Sequence, residues 1–345
     1  MSSAFEALNS LLADPRRILL LSHVNPDGDA IGSQLGLKWL LEAQGHQVIA
    51  ANQDGVPALL RADQVAPGWR ELVRNPMKPQ RRGNGYELVI ALDCSDMARL
   101  GQAYDPSLAD APLVNIDHHI TNLHFGALNI VDPAASSTAE LVWRVAEALH
   151  WPIGPQAAQC LLTGIVTDTR SFRVGHVTPA LLGVAQRLME AGASLAAVNE
   201  LVLERRDVDT ICLWGQALAE LRLEERIIWT AIPLTMRARC NSIEQSDSGL
   251  ANFMVGAEEA DVALILTERA DGQVDVGMRA APGFDVAQVA LALGGGGHPR
   301  AAGCTLAPPL AQAAEQVLAA LKLALAQQRQ QHLPAQQSPA VEPPA

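Results

Sequence analysis

The sequence predicts an α/β protein in two parts. A parallel-sheet α/β/α domain comes first, and a helical connector joins it to a smaller α/β domain with a mixed sheet. Three observations predict this. Apolar runs of strand length alternate with helical periodicity from residue 18 to about 190. Those runs are continuously apolar rather than alternating, as strands buried on both faces are. A second, shorter set of strand-like runs begins near Arg226 and contains an Ala-Asp-Gly turn at 270–272 that reads as a hairpin.

In the first domain, strands are expected at Ile18–Ser22, Gln47–Ala51, Leu88–Asp93, Leu113–Asp117 and Ala127–Val131. Between the first two, Ala30–Gln44 places Ile31, Leu35, Leu40 and Leu41 on one helical face. Residues 178–222 read as almost wholly helical. The boundaries expected are 1–190 for the first domain, 191–222 for the connector and 223–326 for the second domain. Within the last, strands are expected at Ile227–Pro233, Val262–Thr267 and Val274–Ala280, and helices at Asp285–Leu293 and Leu310–Gln327. The remainder, 327–345, is rich in Gln, Pro and Ala with little to bury, and is expected to be disordered.

Composition narrows the function classes. With 25 Lys+Arg against 37 Asp+Glu in 345 residues the net charge is −12, which does not advertise the basic footprint of a protein that grips long nucleic acid. A small anionic substrate stays open, because a pocket can be positive on a negative surface. Bound divalent cations would offset part of the acidic excess. No apolar run is long enough for a membrane span, and the N-terminal residues lack the pattern of a secretion signal, so a cytoplasmic protein is expected. Cys94, Cys160, Cys212, Cys240 and Cys304 are scattered without a CxxC pair; reduced, mostly buried thiols are expected.

Chemistry concentrates where strands end. SHVNPDGDAIGS puts His23, Asp27 and Asp29 just past the first strand, ALDCSD puts Asp93 past another, NIDHHITN ends a third with Asp117, His118 and His119, and TGIVTDTRSF brings Asp168 after the helical segment Gln156–Val166. In a parallel sheet the carboxyl ends of the strands share one edge, where ligands bind. Singly, each stretch has a plainer reading: PDGD is a turn and helix cap, with Asp29 able to cap the helix beginning at Ala30. Together, this many carboxylates and imidazoles at one edge suit hard divalent ions, and two such ions about 3.5–4 Å apart can clamp a phosphoester displacement.

A second motif, GGGGHPRAAG at 294–303, follows the same logic. Gly294–Gly297 are costly inside a helix or strand, so a loop is expected there. Glycines let backbone N–H groups approach an anion, while His298 and Arg300 would add charge-assisted donors.

The order and spacing of SHVNPDGDAIGS, ALDCSD, NIDHH and GIVTDT, with VGMRA at 276–280 and GGGGHPRAAG beyond, resemble the DHH phosphoesterase family and its associated C-terminal domain over roughly residues 15–310. Length and motif wording are most similar to its bacterial group of oligoribonucleases and 3′-phosphoadenosine 5′-phosphate phosphatases. The resemblance implies a two-metal phosphoesterase, a DHH catalytic domain followed by a substrate-binding domain. Mn²⁺ is the expected ion, and Mg²⁺ or Co²⁺ are also compatible. It implies that His23, Asp27 and Asp93 hold one ion and that Asp29, Asp93, His118 and Asp168 hold the other. Asp117 would order the histidine pair, and His119 would face the scissile phosphate. Gly295, Gly296, Gly297, His298, Arg279, Arg300 and Arg99 would bind substrate, with a cleft between the domains and a hinge in the connector. Short RNA or small nucleotides would be the substrates, and a homodimer is suggested by the resemblance alone. Cyclic di-AMP or pApA hydrolysis uses the same architecture and stays open, as does a regulator that has lost catalysis.

Some features carry less. Ser136 or Ser137 reads as a cap for the following helix, and His124 and His176 as surface or structural. Arg170, two residues after Asp168, departs from the glycine this motif often has; it could pair with the aspartates or reach the substrate.

Overall fold

The computed structural model describes residues 2–74, 85–174, 177–242 and 249–332; His176 lies outside them. The chain packs as two units, Met1–Arg205 and Arg206–Ala345. The segment expected as a connector is divided at that point. Val198 and Val202 belong to the core of the first unit, whereas Leu213 and Ala217 belong to a core of the second.

The first unit is built on a six-stranded parallel sheet: β1 Arg17–Ser22, β2 Gln47–Asn52, β3 Val73–Arg74, β4 Leu88–Leu92, β5 Leu113–Asp117 and β6 Leu128–Val131. The order is β3-β2-β1-β4-β5-β6. Successive strands step away from β1 in one direction and from β4 in the other. The switch point therefore falls between these two, the place where open α/β sheets bind ligands. Their register sets Ser22 beside Leu92, so His23 and Asp93, the next residue in each strand's path, emerge side by side.

Alternation along β1 explains the two-sided burial. Ile18 and Leu20 face a core shared with the helices Gly28–Ala43, Thr138–Ala148, Pro155–Asp168 and Pro179–Glu190. Leu19 and Leu21 point the other way, onto a core closed by Leu100, Ala103 and Leu108 from short 3₁₀ turns. The helices Gly28–Ala43 and Pro155–Asp168 lie unusually close. A Cβ on Gly32 would fall 2.5 Å from the carbonyl of Cys160, and one on Gly164 would fall 2.7 Å from Asp29 Oδ1.

The second unit holds a mixed sheet in the order β11-β12-β10-β9-β8-β7. Its strands are β7 Arg222–Glu224, β8 Ile227–Ile232, β9 Val262–Glu268, β10 Val274–Ala280, β11 Gly296–His298 and β12 Ala301–Leu306. Among the described residues of this sheet, only β8 and β9 pair in parallel. Helix Leu310–His332 covers one face, through Val317, Leu321 and Leu325. Helices Val208–Ala219, Leu234–Arg239 and Leu250–Met254 cover the other.

Four expectations need correction. The C-terminal segment is helical through His332, not disordered from 327, because Leu325 stays in the core and Arg329 pairs with Asp261 at 2.8 Å; residues 333–345 lie outside the described ones. Cys212 and Cys240 are joined in a disulfide, not reduced: packing of helix Val208–Ala219 on the second sheet brings their Cα atoms to 5.7 Å. The glycine run is not all loop, since Gly296–His298 forms edge strand β11. Gly297 has φ +140°, and a Cβ on Gly295 would lie 2.1 Å from the Gly303 carbonyl, so a tight backbone approach replaces side-chain packing there. Finally, Asp29 does not cap its own helix. Asp27 does, accepting from the N–H groups of Asp29 and Ala30 at 3.0 Å each.

Candidate two-cation site

The carboxyl edge of the first sheet gathers the sequence-predicted donors into two groups. His23, Asp27 and Asp93 form one, and Asp29, His118 and Asp168 the other; within each, one nitrogen or oxygen per residue lies within 4.8 Å of the rest. Asp93 stands between them. Its Oδ2 is 3.5 Å from His23 Nε2, and its Oδ1 is 3.7 Å from His118 Nε2. β4 stops at Leu92, and Asp93 takes φ +56°, a left-handed conformation that asparagine and aspartate tolerate better than most residues. That turn, anchored by the Asp93 N–H donating to the Ile116 carbonyl at 3.0 Å, is what brings both carboxylate oxygens over the strand ends.

His118 Nε2 is the second focus, 3.4 Å from Asp168 Oδ2 and 3.9 Å from Asp29 Oδ2. These separations exceed a good hydrogen bond. They fall within the roughly 4.2 Å that two donors can span when both bind an octahedral ion at about 2.1 Å. The donor set therefore fits a pair of hard divalent cations that share Asp93.

Burial and like charge leave their mark on the acids. Burial pushes Asp29 well above the usual carboxylate range, and the charges of Asp93 and Asp168 add to it. Burial, helped by Asp27 and Asp93 and opposed by His118, pushes Asp168 up to about 7. Asp93 goes the other way: burial would raise it, but His23, His119 and His118 hold it well below the ordinary value. For His23, burial is outweighed by the hydrogen bond and charge of Asp93, and its imidazole is raised.

Beside the donors stands a hydrogen-bonded relay. Burial opposes the charged form of His119, yet its Nδ1 contact with Asp117 Oδ1 at 2.7 Å, and the charges of Asp93 and Asp117, raise it to about 9. Asp117 is itself fully buried. It also accepts from the His118 N–H at 2.9 Å and from Asn122 Nδ2 at 2.6 Å. Arg99, in the 3₁₀ turn after β4, is near enough that its charge acts on both His23 and His119.

In the second unit, register places Arg279 of β10 and His298 of β11 on either side of Ala301 in β12. Directly paired residues point to the same face, so both side chains leave the same face of the sheet. Arg279 Nε donates to Asn252 Oδ1 at 3.0 Å, while Arg300 Nε donates to the Ala280 carbonyl at 3.3 Å. Gly295, Gly296 and Gly297 run into this hairpin.

Two contributors escaped the sequence reading. Asn122 was visible in NIDHHITN but carried no separate signal. The Ser-Ser-Thr run did announce a helix start, and Ser137 is its cap, accepting from the Glu140 N–H at 3.0 Å. What the run could not announce is that the amides of Thr138 and Ala139 donate to Asp29, at 2.6 and 2.9 Å. Arg170, two residues past Asp168, has φ +51° and opens a run of three left-handed residues through Phe172. His124 is exposed.

Comparison with known proteins finds two matching domains. Residues 17–165 match the N-terminal domain of the DHH family, and residues 241–327 match the DHHA1 domain. The bifunctional oligoribonuclease and PAP phosphatase NrnA of Thermus thermophilus is 34% identical across 88% of this chain and 89% of its own length. The chain belongs to the DHH family. Among other relatives of this DHH protein, the cyclic-di-AMP phosphodiesterase PdeA of Listeria monocytogenes is 25% identical over 92% of the chain but only 49% of PdeA. An exopolyphosphatase-related protein from Bacteroides fragilis shares the fold, with a TM-score of 0.87 at 22% identity, covering 95% of this chain and 98% of that one. As a member of the family it is a phosphoester hydrolase, and DHH phosphoesterases use divalent metals. No helix among the described residues is long and apolar enough to cross a membrane.

Proposed function

We propose that this DHH protein is a manganese-dependent phosphoesterase of the cytoplasm that degrades very short oligoribonucleotides to mononucleotides and converts 3′-phosphoadenosine 5′-phosphate to AMP. The observation that carries the reading is the pair of donor groups joined through Asp93, in a chain whose Thermus thermophilus relative, at 34% identity across most of both chains, is named for those two activities. His23, Asp27 and Asp93 would hold one cation, and Asp29, Asp93, His118 and Asp168 the other. When bound, such a pair supplies Lewis-acid polarisation of the phosphoryl group and a more acidic water.

The chain's own residues do the rest. Asp117, held by Asn122, fixes the ring of His119 through Nδ1, so that the Nε2 edge is the one that would donate to a phosphoryl or leaving oxygen. Protonated near neutrality, that imidazole would neutralise charge that builds up as the bond breaks. Residues 1–205 would thus carry the chemistry. The second unit would bind the phosphate or nucleotide end of the substrate through Arg279, His298, Arg300 and the N–H groups of Gly295–Gly297, with Arg99 adding a cation on the catalytic side.

The reading is tested by following AMP release from pApA, 3′-phosphoadenosine 5′-phosphate and cyclic di-AMP in parallel, with Mn²⁺ and with Mg²⁺. Turnover of the first two is expected, faster with Mn²⁺. Turnover of the cyclic dinucleotide alone would replace this reading with that of a cyclic-dinucleotide phosphodiesterase. No turnover of any of the three, with cations bound, would point to a catalytically silent regulator.

A further inference from the structure

Thr138 is fully buried and opens the helix Thr138–Ala148. It touches one carboxylate from each donor group. Its hydroxyl donates to Asp93 Oδ1 at 3.1 Å, and its backbone N–H donates to Asp29 Oδ2 at 2.6 Å. The Ala139 N–H adds a bond to Asp29 Oδ1 at 2.9 Å, so Asp29 is held in a fork by the first two amides of a helix 109 residues away.

Asp93 needs such restraint more than any other donor. A carboxylate turns about its Cβ–Cγ bond, and here each oxygen has a different job: Oδ2 faces His23 and Oδ1 faces His118. His119 Nδ1 stands 3.6 Å from the same Oδ1, but its hydrogen bond goes to Asp117. A hydroxyl 3.1 Å from Oδ1 defines the plane of the group and keeps the two oxygens divided between the two sides. Among the described hydrogen bonds, neither neighbouring serine hydroxyl reaches Asp93: Ser137 Oγ accepts from the Glu140 N–H at 3.0 Å, and the buried Ser136 Oγ makes no hydrogen bond.

We propose that Thr138 is a positioning residue that sets Asp93 to bridge two cations and couples the orientation of Asp93 to that of Asp29. The inference rests on reading this cluster as a two-cation site. The amide bond to Asp29 survives any side-chain change short of proline, so the hydroxyl can be removed by itself.

The test is Mn²⁺ binding to the full-length, metal-stripped chain, followed by titration calorimetry and by the spin-resonance signal of free Mn²⁺. Thr138→Val keeps the side-chain shape and removes the hydroxyl; at least one of two binding steps should weaken about tenfold or more, the usual consequence of losing a partner of a metal ligand. Thr138→Ser should bind within about threefold of the unaltered chain, since it keeps the donor. Thr138→Ala serves as a second hydroxyl-free variant if Val does not fold. Wild-type titration by Val or Ala, or an equal loss in Ser, overturns the proposal. So does a chain that folds with Ser but with neither Val nor Ala, because the hydroxyl would then be holding the fold. An unaltered chain that binds no pair of ions overturns the two-cation reading itself, an outcome distinct from these.

Discussion

The aspartate–histidine cluster and the glycine hairpin rest on opposite kinds of support. The cluster stands on ends of parallel strands and on two closely packed helices; His23, Asp29, Asp93 and His118 are at most 8% exposed, and backbone amides hold Asp29 in place. The hairpin lies at the edge of its sheet, with Gly296 and Gly297 exposed and little but main chain to shape it. Cation ligands demand positions fixed to tenths of an ångström. An anion can be met by N–H groups and long cationic side chains with more latitude. The contrast suits the proposed division of labour, rigid chemistry in one unit and adaptable grip in the other.

The hardest blow to that contrast would come at Asp93. Asp93→Ala should lower turnover of pApA by at least about 10²–10³-fold, as loss of a central electrostatic element does; activity within tenfold of the unaltered chain would remove the bridge from the mechanism. Next in size is Arg279→Ala, for which KM should rise about 10–100-fold with kcat changed far less, the worth of a charge-assisted contact made equally in ground and transition states. A fall in kcat at constant KM would instead put chemistry in the second unit. Asn122→Ala should cost roughly tenfold in kcat with KM little changed, because Asp117 loses one of the bonds that orient His119.

The smallest effect is a pH dependence of stability. Asp168 is raised to about 7 in the ion-free fold, against about 3.9 for an unfolded aspartate. Between those values the folded chain keeps a proton that the unfolded chain has lost, so this group's contribution to ion-free stability falls as pH rises. Asp29, also raised, adds in the same direction. A bound cation removes the penalty. The rise in melting temperature on adding Mn²⁺ should therefore grow by a few degrees from pH 5.5 to pH 8, measured against chelator-treated protein. A rise that shrinks over that range would show that these carboxylates do not face the ion.

Much of the first unit was legible because its signals are local. Leu19-Leu20-Leu21 cannot be other than buried, and a parallel sheet then forces His23, Asp93 and Asp117 to one edge. What escaped was long-range. PDGD reads as a cap from either aspartate, and only the position of Thr138, far along the chain, diverts Asp29 to another helix. The disulfide between Cys212 and Cys240 depends on helix packing in the second unit, with no spacing rule to announce it. Strands β7, β11 and β12 are too short, too charged or too glycine-rich to stand out by periodicity, and they become strands through the neighbours they pair with.

The near-contact of helices Gly28–Ala43 and Pro155–Asp168 has a consequence for the proposed second cation. Asp29 rides on one helix and Asp168 ends the other, so the approach of the two helices helps set how far apart two of its proposed ligands stand. A single methyl at Gly164 would fall 2.7 Å from Asp29 Oδ1 and 2.6 Å from the Ala139 Cβ, closer than such atoms pack, so the carboxylate or the helix that holds it would have to shift. Cation ligands tolerate little such displacement. Two hydrogens, where other residues carry side chains, thus let Asp29 and Asp168 come together at this edge of the molecule.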